Sequence, residues 1–294
     1  MRLLIIGASG ALGSRLYSDA IKKKWDVLGT YYSYECEELI YLDLEDKKSI
    51  DKVFDFFKPE VVLLAGGLTN VDLCEENPAL AEKVNISGTL YVAKKTKEHN
   101  ARLVYVSTDY IFNGENGPYH EDDIPSPINV YGRTKLEAEN IIRANLEDYL
   151  IVRTSQLYGG DDQKKNFAVK IVLNMRNNKK IYAADDFYST PIYAGSLSQS
   201  IIELIERSYR GVLNIAGEDF INRYSYVNRI ADIFNLEKSL INKVALNDLH
   251  LKAMRPPKGG LKIDKVRKIM NSSLMTMREG LTLFKAEQAE TKAG

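Results

Sequence analysis

Tyr131 and Lys135 stand four residues apart in "YGRTKLEAEN", a stretch that reads as helix. Residues i and i+4 share one helix face. An ammonium beside a phenol favours the phenolate and lowers the tyrosine pKa from its usual value of about 10. A phenol tuned in that way donates a proton readily near neutral pH. The same lysine can hydrogen-bond a ribose. Yet solvated Tyr–Lys pairs are common on helix surfaces. The pair becomes chemistry only if a hydride source and a group that orients a carbonyl are folded against it.

Two other stretches offer those parts. "GASGALG" spaces Gly7, Gly10 and Gly13 as G-x-x-G-x-x-G, after an apolar run and at the mouth of a helical one. Glycines let the chain turn tightly and let backbone N–H groups approach a pyrophosphate, and the helix N-terminus adds its dipole. Ala11 and Leu12 lie inside this loop and share the assignment to a dinucleotide. "VSTDYIFNG" puts Ser107 and Thr108 at the end of another apolar run, where a hydroxyl can hydrogen-bond a carbonyl oxygen. Glycine loop, strand-end hydroxyl and Tyr-x-x-x-Lys then follow one another in the order a carbonyl reductase needs. The cofactor supplies hydride, Thr108 orients the carbonyl with Ser107 as the lesser candidate, and Tyr131 gives the proton.

Periodicity predicts the elements that must hold these groups. Val/Ile/Leu-rich runs at 2–6, 25–31, 60–66, 101–108 and 149–155 read as strands, and apolar residues at helical spacing mark helices at 12–24, 49–58, 78–100 and 131–145. Strands apolar on both faces, alternating with helices, predict an α/β doubly wound parallel sheet, a Rossmann fold with right-handed crossovers. Ligands bind at the carboxyl ends of such strands. Beyond residue 156 the pattern loosens into helices at 166–178, 196–208 and 222–235, a strand at 211–217 and a Pro–Gly turn before a last helix within 254–270. We expect residues 1–156 to form the dinucleotide-binding domain and 157–294 mostly a smaller substrate lobe, with elements near 190–217 returning to the first. The last ten residues, 285–294, are polar and read as frayed.

Composition removes several functions. Lys+Arg and Asp+Glu both number 40, so a net charge of zero argues against nucleic acid or an anionic membrane as partner. The basic runs at 21–24 and 177–180 read as solvated. Cys36 and Cys74 have no CxxC spacing, so neither a disulfide framework nor a thiolate zinc site is expected, and a reducing cytoplasm is. No apolar run reaches the roughly 20 residues of a membrane span. His99, His120 and His250 lack metal-ligand spacing, so no metal is assigned. The acidic 121–123 loop reads as solvated, and the apolar stripe of "SYVNRIADIF" as core or as the subunit face of a homodimer.

An acidic residue usually follows the second strand and binds the adenosine ribose in NAD enzymes. Here Thr30, Tyr31 and Tyr32 occupy that region, with no arginine beside them. NADP(H) is therefore preferred, with NAD(H) left open. In "YLDLED", Asp43 is placed to accept from the adenine amine or to close a turn, with Leu44 beside it.

"GASGALGSRL", "VDLCEENPALAEKVN", "STDYIFNGENGPYHEDDIPSPINVYGRTKLEAE", "IVRTSQLYG" and "RPPKGGL" span residues 7–261. Together they resemble an extended short-chain dehydrogenase/reductase, and more narrowly the dTDP-4-dehydrorhamnose reductase family. The resemblance implies that Thr108, Tyr131 and Lys135 are catalytic. It implies that Ala65 and Gly66 lie under the nicotinamide and that Asn85 is a structural asparagine behind the site. It also implies that Arg153, Thr154 and Ser155 line the cleft and that Arg255 lies near the nucleotide part of a nucleotide-sugar substrate. "AGGLTN", Gly259 and "DDFYSTPIYAGSL" depart from the family pattern. The expected activity is reduction of dTDP-4-dehydro-rhamnose to dTDP-rhamnose. The central block is also similar to the regulatory β subunit of methionine adenosyltransferase, which implies a cofactor-holding role without turnover. An epimerase or dehydratase of the same fold is a third reading, and dehydratases want an acidic pair after the strand-end hydroxyl. Asp109 follows Thr108, but no glutamate follows Asp109.

Overall fold

A computed structural model describes residues 1–271 and 274–290. The first half runs β1 (Arg2–Ile6), α1 (Ala11–Lys22), β2 (Asp26–Tyr31), β3 (Ile40–Tyr41), α2 (Lys47–Phe57) and β4 (Val61–Leu64). It continues through α3 (Val71–Glu76), α4 (Pro78–Ala81), a π-helical turn (Glu82–Ser87), α5 (Gly88–Glu98), β5 (Arg102–Thr108), α6 (Val130–Asn145) and β6 (Tyr149–Thr154). The second half holds β7 (Leu157–Tyr158), α7 (Phe167–Arg176), β8 (Ile181–Ala184), β9 (Tyr188–Ser189), β10 (Ile192–Tyr193) and α8 (Ala194–Glu206). After these come β11 (Gly211–Asn214), β12 (Ile221–Asn222), α9 (Arg223–Phe234), β13 (Ile241–Val244), α10 (Asp264–Ile269) and α11 (Met277–Glu290).

Among the described residues seven strands form one sheet in the order β11-β6-β5-β4-β1-β2-β3. Every pairing within it is parallel. The chain moves outward one way from β1 to β3 and the other way from β4 to β11. That reversal leaves a crevice above the carboxyl ends of β1 and β4.

The period of two along each strand sorts side chains between two cores. Leu3 and Ile5 of β1, Val61 and Leu63 of β4, and Leu150 and Val152 of β6 pack with Leu16 of α1 and Ile201 of α8. Leu4, Ile6, Val62, Leu64 and Ile151 pack on the other face with Phe54 of α2, Val92 of α5 and Ile142 of α6. A slip of one residue would exchange these sets. Burying each such Leu or Ile stabilises the fold by roughly 1.5–3 kcal/mol, so the register that aims the strand ends is strongly held.

The second half has its own core. Val169 and Val172 of α7, Tyr226, Ile230 and Phe234 of α9, and Leu281 and Phe284 of α11 pack together there. The stripe of "SYVNRIADIF" is thus core. β11 pairs with β6, which puts residues 211–214 in the main sheet.

Two expectations are corrected, and one strand was not anticipated. The helix over 78–100 is interrupted by the π turn at Glu82–Ser87. Strand β3 is two residues long, too short to show as a strand pattern, and it extends the sheet beyond β2. Residues 285–290, expected to fray, belong to α11, whose Leu281 and Phe284 are buried; 291–294 lie outside the described residues.

Candidate active site

A cavity of about 840 Å³ opens above the sheet, and its wall includes Gly7, Gly10, Ala11, Leu12, Gly13, Asp43, Leu44, Ala65, Gly66, Ser107, Thr108, Tyr131, Lys135, Ser155 and Arg255. Its floor requires glycine at two points. Gly7 has φ +90°, and a Cβ there would stand 2.7 Å from the Gly66 backbone; a Cβ on Gly13 would stand 2.1 Å from the Gly7 carbonyl oxygen. Gly10 occupies the N-cap of α1 without a side-chain cap, and the first turn of α1 carries no acid. Orphan N–H groups and the positive end of the helix dipole are therefore open to an anion. These features fit the pyrophosphate of a dinucleotide. Across the cleft, Gln163 donates to the Ser9 carbonyl at 2.9 Å and ties the segment after β7 to the glycine loop.

The end of β2 is uncharged. Thr30 is buried, and its hydroxyl accepts the Gly7 N–H at 3.2 Å. Tyr31 and Tyr32 line the cavity, and both rings lean on Tyr41. One Asp43 oxygen accepts the Glu45 N–H at 2.8 Å, which closes a turn.

Tyr131 lies in the first turn of α6. Asn129 caps that helix, its side chain accepting the Gly132 N–H at 2.8 Å and donating to the Met254 carbonyl at 2.8 Å. Burial pushes the Tyr131 phenol well above its ordinary range, opposed by a hydrogen bond with Thr108. This corrects the expectation of a lysine-lowered tyrosine. Lys135 shares the helix face, but its ammonium donates to the Val106 carbonyl at 2.7 Å and sits 4.1 Å from the Tyr105 ring centroid. Burial brings the Lys135 pKa down to about 7, against the pull of Glu139. Asn85, in the π turn, accepts the Leu68 N–H at 2.8 Å and donates to Thr134 Oγ1 at 3.1 Å. It ties the loop after β4 to the helix of Tyr131 and Lys135. A π turn at such a point is common near functional sites.

Two sequence-predicted contacts are engaged by Glu139. Arg153 is only 2% exposed and is absent from the cavity wall. Its Nε and Nη2 donate to Glu139 at 3.0 and 2.8 Å, and its Nη1 donates to the Glu121 carbonyl at 2.9 Å. Arg153 is therefore a structural cation, because a guanidinium that deep must be paired. Ser107 reaches the wall, but its hydroxyl donates to the same Glu139 at 2.6 Å. Ser155 donates to Asp109 Oδ2 at 2.6 Å, and that oxygen also accepts the Gly260 N–H at 3.0 Å. Asp109 thereby stitches the tail segment onto the end of β5. The histidines lie elsewhere: His99 packs on Phe54, and the described residues contain no cluster suited to a metal.

A family model described as "RmlD substrate binding domain" matches residues 1–289. The chain belongs to this family. Within it, the chain is 31% identical over 280 residues to dTDP-4-dehydrorhamnose reductase of Aggregatibacter actinomycetemcomitans, covering 90% of this chain and 92% of that one. It is 32% identical over 250 residues to methionine adenosyltransferase 2 subunit beta of Xenopus tropicalis, covering 83% and 75%. The crystal structure of dTDP-4-dehydrorhamnose reductase from Bacillus anthracis in complex with NADP superposes with a TM-score of 0.89 at 26% identity, covering 97% and 99%.

Three residues of this RmlD-family site were not singled out by sequence reasoning. Glu139 continues the stripe of Tyr131 and Lys135 by one more turn, a spacing that was visible, but its partner Arg153 is not. Asp109 was read only as half of an absent acidic pair. Arg223 opens α9 and lines the cavity, and no local motif marks it.

Proposed function

We propose that the protein reduces the keto group of a nucleotide-linked 4-keto-6-deoxy sugar, with NADPH as the preferred reductant and NADH as an open second. dTDP-4-dehydro-rhamnose is the leading substrate and dTDP-rhamnose the product. One observation carries this reading: the glycine loop, Thr108, Tyr131 and Lys135 line a single cavity. The relatives named as reductases and the absence of an acid at Thr30, Tyr31 and Tyr32 support the substrate class and the cofactor preference. Two free cysteines and the lack, among the described residues, of any helix able to cross a membrane support a cytoplasmic setting.

Bound at the glycine loop, a reduced nicotinamide supplies hydride. The chain's own groups do the rest. Gly7 and Gly13 keep the backbone low enough for the pyrophosphate. Thr108 orients the carbonyl oxygen. Tyr131 arrives protonated, which is the form a reduction consumes, and an alkoxide is a far stronger base than a phenolate. Lys135 would hydrogen-bond the nicotinamide ribose, and its ammonium near the phenol would stabilise the phenolate left behind. Ser155 acts through Asp109 by fixing the tail.

Incubation with NADPH and the keto sugar should bleach the reduced-nicotinamide absorbance. An unchanged band with freshly folded protein overturns the reading. The match to the Xenopus protein favours a second reading, an NADP-binding regulatory subunit. Stable capture of a methionine adenosyltransferase catalytic subunit without reductase turnover would select it. The dehydratase reading is weaker, because Tyr110, not a glutamate, follows Asp109, and an epimerase would hold its NAD tightly. A tightly co-purifying NAD would revive the epimerase reading.

A further inference from the structure

Two arginines line the substrate half of the cleft, and they differ in one respect. Arg255 has its charge answered: Nη2 lies 3.0 Å from Asp72 Oδ2, and Nη1 donates to the Ala253 carbonyl at 2.8 Å. Arg223 has no ion pair and no side-chain hydrogen bond among the described residues. Its guanidinium carbon lies instead 4.2 Å from the Phe167 ring centroid and 4.8 Å from that of Phe187. Both rings also line the cavity. Aromatic faces hold a guanidinium by its flat side and leave the N–H groups on its edge unused. A fork of five donors held in this way suits an oxyanion that accepts two parallel hydrogen bonds.

We propose that Arg223 is the principal anion-binding residue of the substrate half, taking the diphosphate of the sugar nucleotide. This assignment rests on the sugar-nucleotide reading above. The neighbours argue for the substrate's phosphates over the cofactor's. The groups that feel Arg223 electrostatically are Tyr110, Tyr226, Arg255 and Asp109. Tyr110 in turn stands edge-on to Tyr131, with ring centroids 5.8 Å apart. An anion at Arg223 therefore lies among Tyr110, Arg255 and the rings of Phe167 and Phe187. The Arg223 N–H donates to the Phe187 carbonyl at 2.8 Å, which fixes the start of α9 against the same wall. Burial and the like charge of Arg255 both disfavour the Arg223 cation, a cost that a bound diphosphate offsets.

The test titrates dTDP and NADPH separately into the wild type, Arg223→Gln and Arg223→Lys. Losing a buried charged hydrogen bond should weaken dTDP about 30-fold or more in Arg223→Gln, with NADPH affinity within about twofold of wild type. Arg223→Lys keeps the charge but not the fork, and should recover part of that loss; it also carries the test if the glutamine variant fails to fold. Undiminished dTDP binding in either folded variant overturns the inference and leaves the sugar-nucleotide reading standing. Loss of NADPH instead of dTDP overturns it in favour of the cofactor. Wild-type protein that binds NADPH but no nucleoside diphosphate overturns both.

Discussion

Tyr131, Lys135 and Glu139 lie at successive turns of one stripe on α6, yet the two ends of the stripe have opposite fates. At the cleft end, burial removes water without supplying full pairing. The Tyr131 phenol is driven up, and the Lys135 ammonium is brought down to about 7. At the far end, Glu139 is fully buried but accepts from Ser107, Arg143 and, twice over, Arg153. Burial therefore perturbs groups where donors are scarce and makes a rigid anchor where they are plentiful. Perturbed groups in a cleft mark function; satisfied groups behind it hold the cleft in shape.

The largest effect that would break this comparison is catalytic. Tyr131→Phe should lower kcat by about 10²–10⁴-fold with the melting temperature nearly unchanged, since a positioned proton donor contributes about that much. Turnover within a few-fold of wild type would remove Tyr131 from the chemistry. At the sealed end the effect should fall on stability. Glu139→Gln leaves Arg153 buried without its counter-charge and should cost about 3–5 kcal/mol in chemical denaturation, while protein that remains folded keeps most of its activity. A small stability loss paired with lost turnover would reverse the assigned roles.

A third prediction concerns pH. Lys135 binds its proton less well folded, at about 7, than unfolded, at the ordinary 10.5. Between those values the unfolded chain holds the extra proton, so cofactor-free stability should rise with pH from about 7 towards 9. Tyr131 is raised instead, so its own contribution is lost only above about pH 10, where the unfolded tyrosine ionises. The difference in stability between wild type and Lys135→Met, followed over pH 6–9, isolates the lysine; a flat difference would mean that the ammonium is well solvated. The smallest effect belongs to the outer rim of the sealed end. Arg143 pairs with Glu139 at 2.7 Å but is 35% exposed, so Arg143→Ala should cost about 0.5 kcal/mol or less. A loss of several kcal/mol there would mean that Arg143, more than Arg153, balances Glu139.

The parallel sheet was legible because each strand carries apolar residues on both faces and each covering helix carries one stripe. The glycine spacing, the hydroxyls at the end of β5 and Tyr-x-x-x-Lys were legible for a related reason: each is local, within one element or at its edge. The failures share the opposite property. The family resemblance places Arg153, Thr154 and Ser155 in the cleft; Thr154 and Ser155 reach its wall, but Arg153 turns instead to Glu139 on α6. Lys135 was expected to tune Tyr131, but the strand carbonyl of Val106 competes for its ammonium. The π turn at Glu82–Ser87 has no composition signature, since what sustains it includes Asn85 bonding to Leu68 and Thr134.

The amino-acid sequence alone thus determined the layers of the fold, the glycine loop at the sheet's carboxyl edge, and the order of the trio proposed to react. These follow from short-range sterics and from periodic burial. Tertiary structure alone decided which charged groups are spent and which are available. Arg255 and Arg223 differ not in type but in whether Asp72 or two phenylalanine rings stand beside them. Electrostatic strength depends on distance and on excluded water, and both are set only when elements far apart in the chain are packed together.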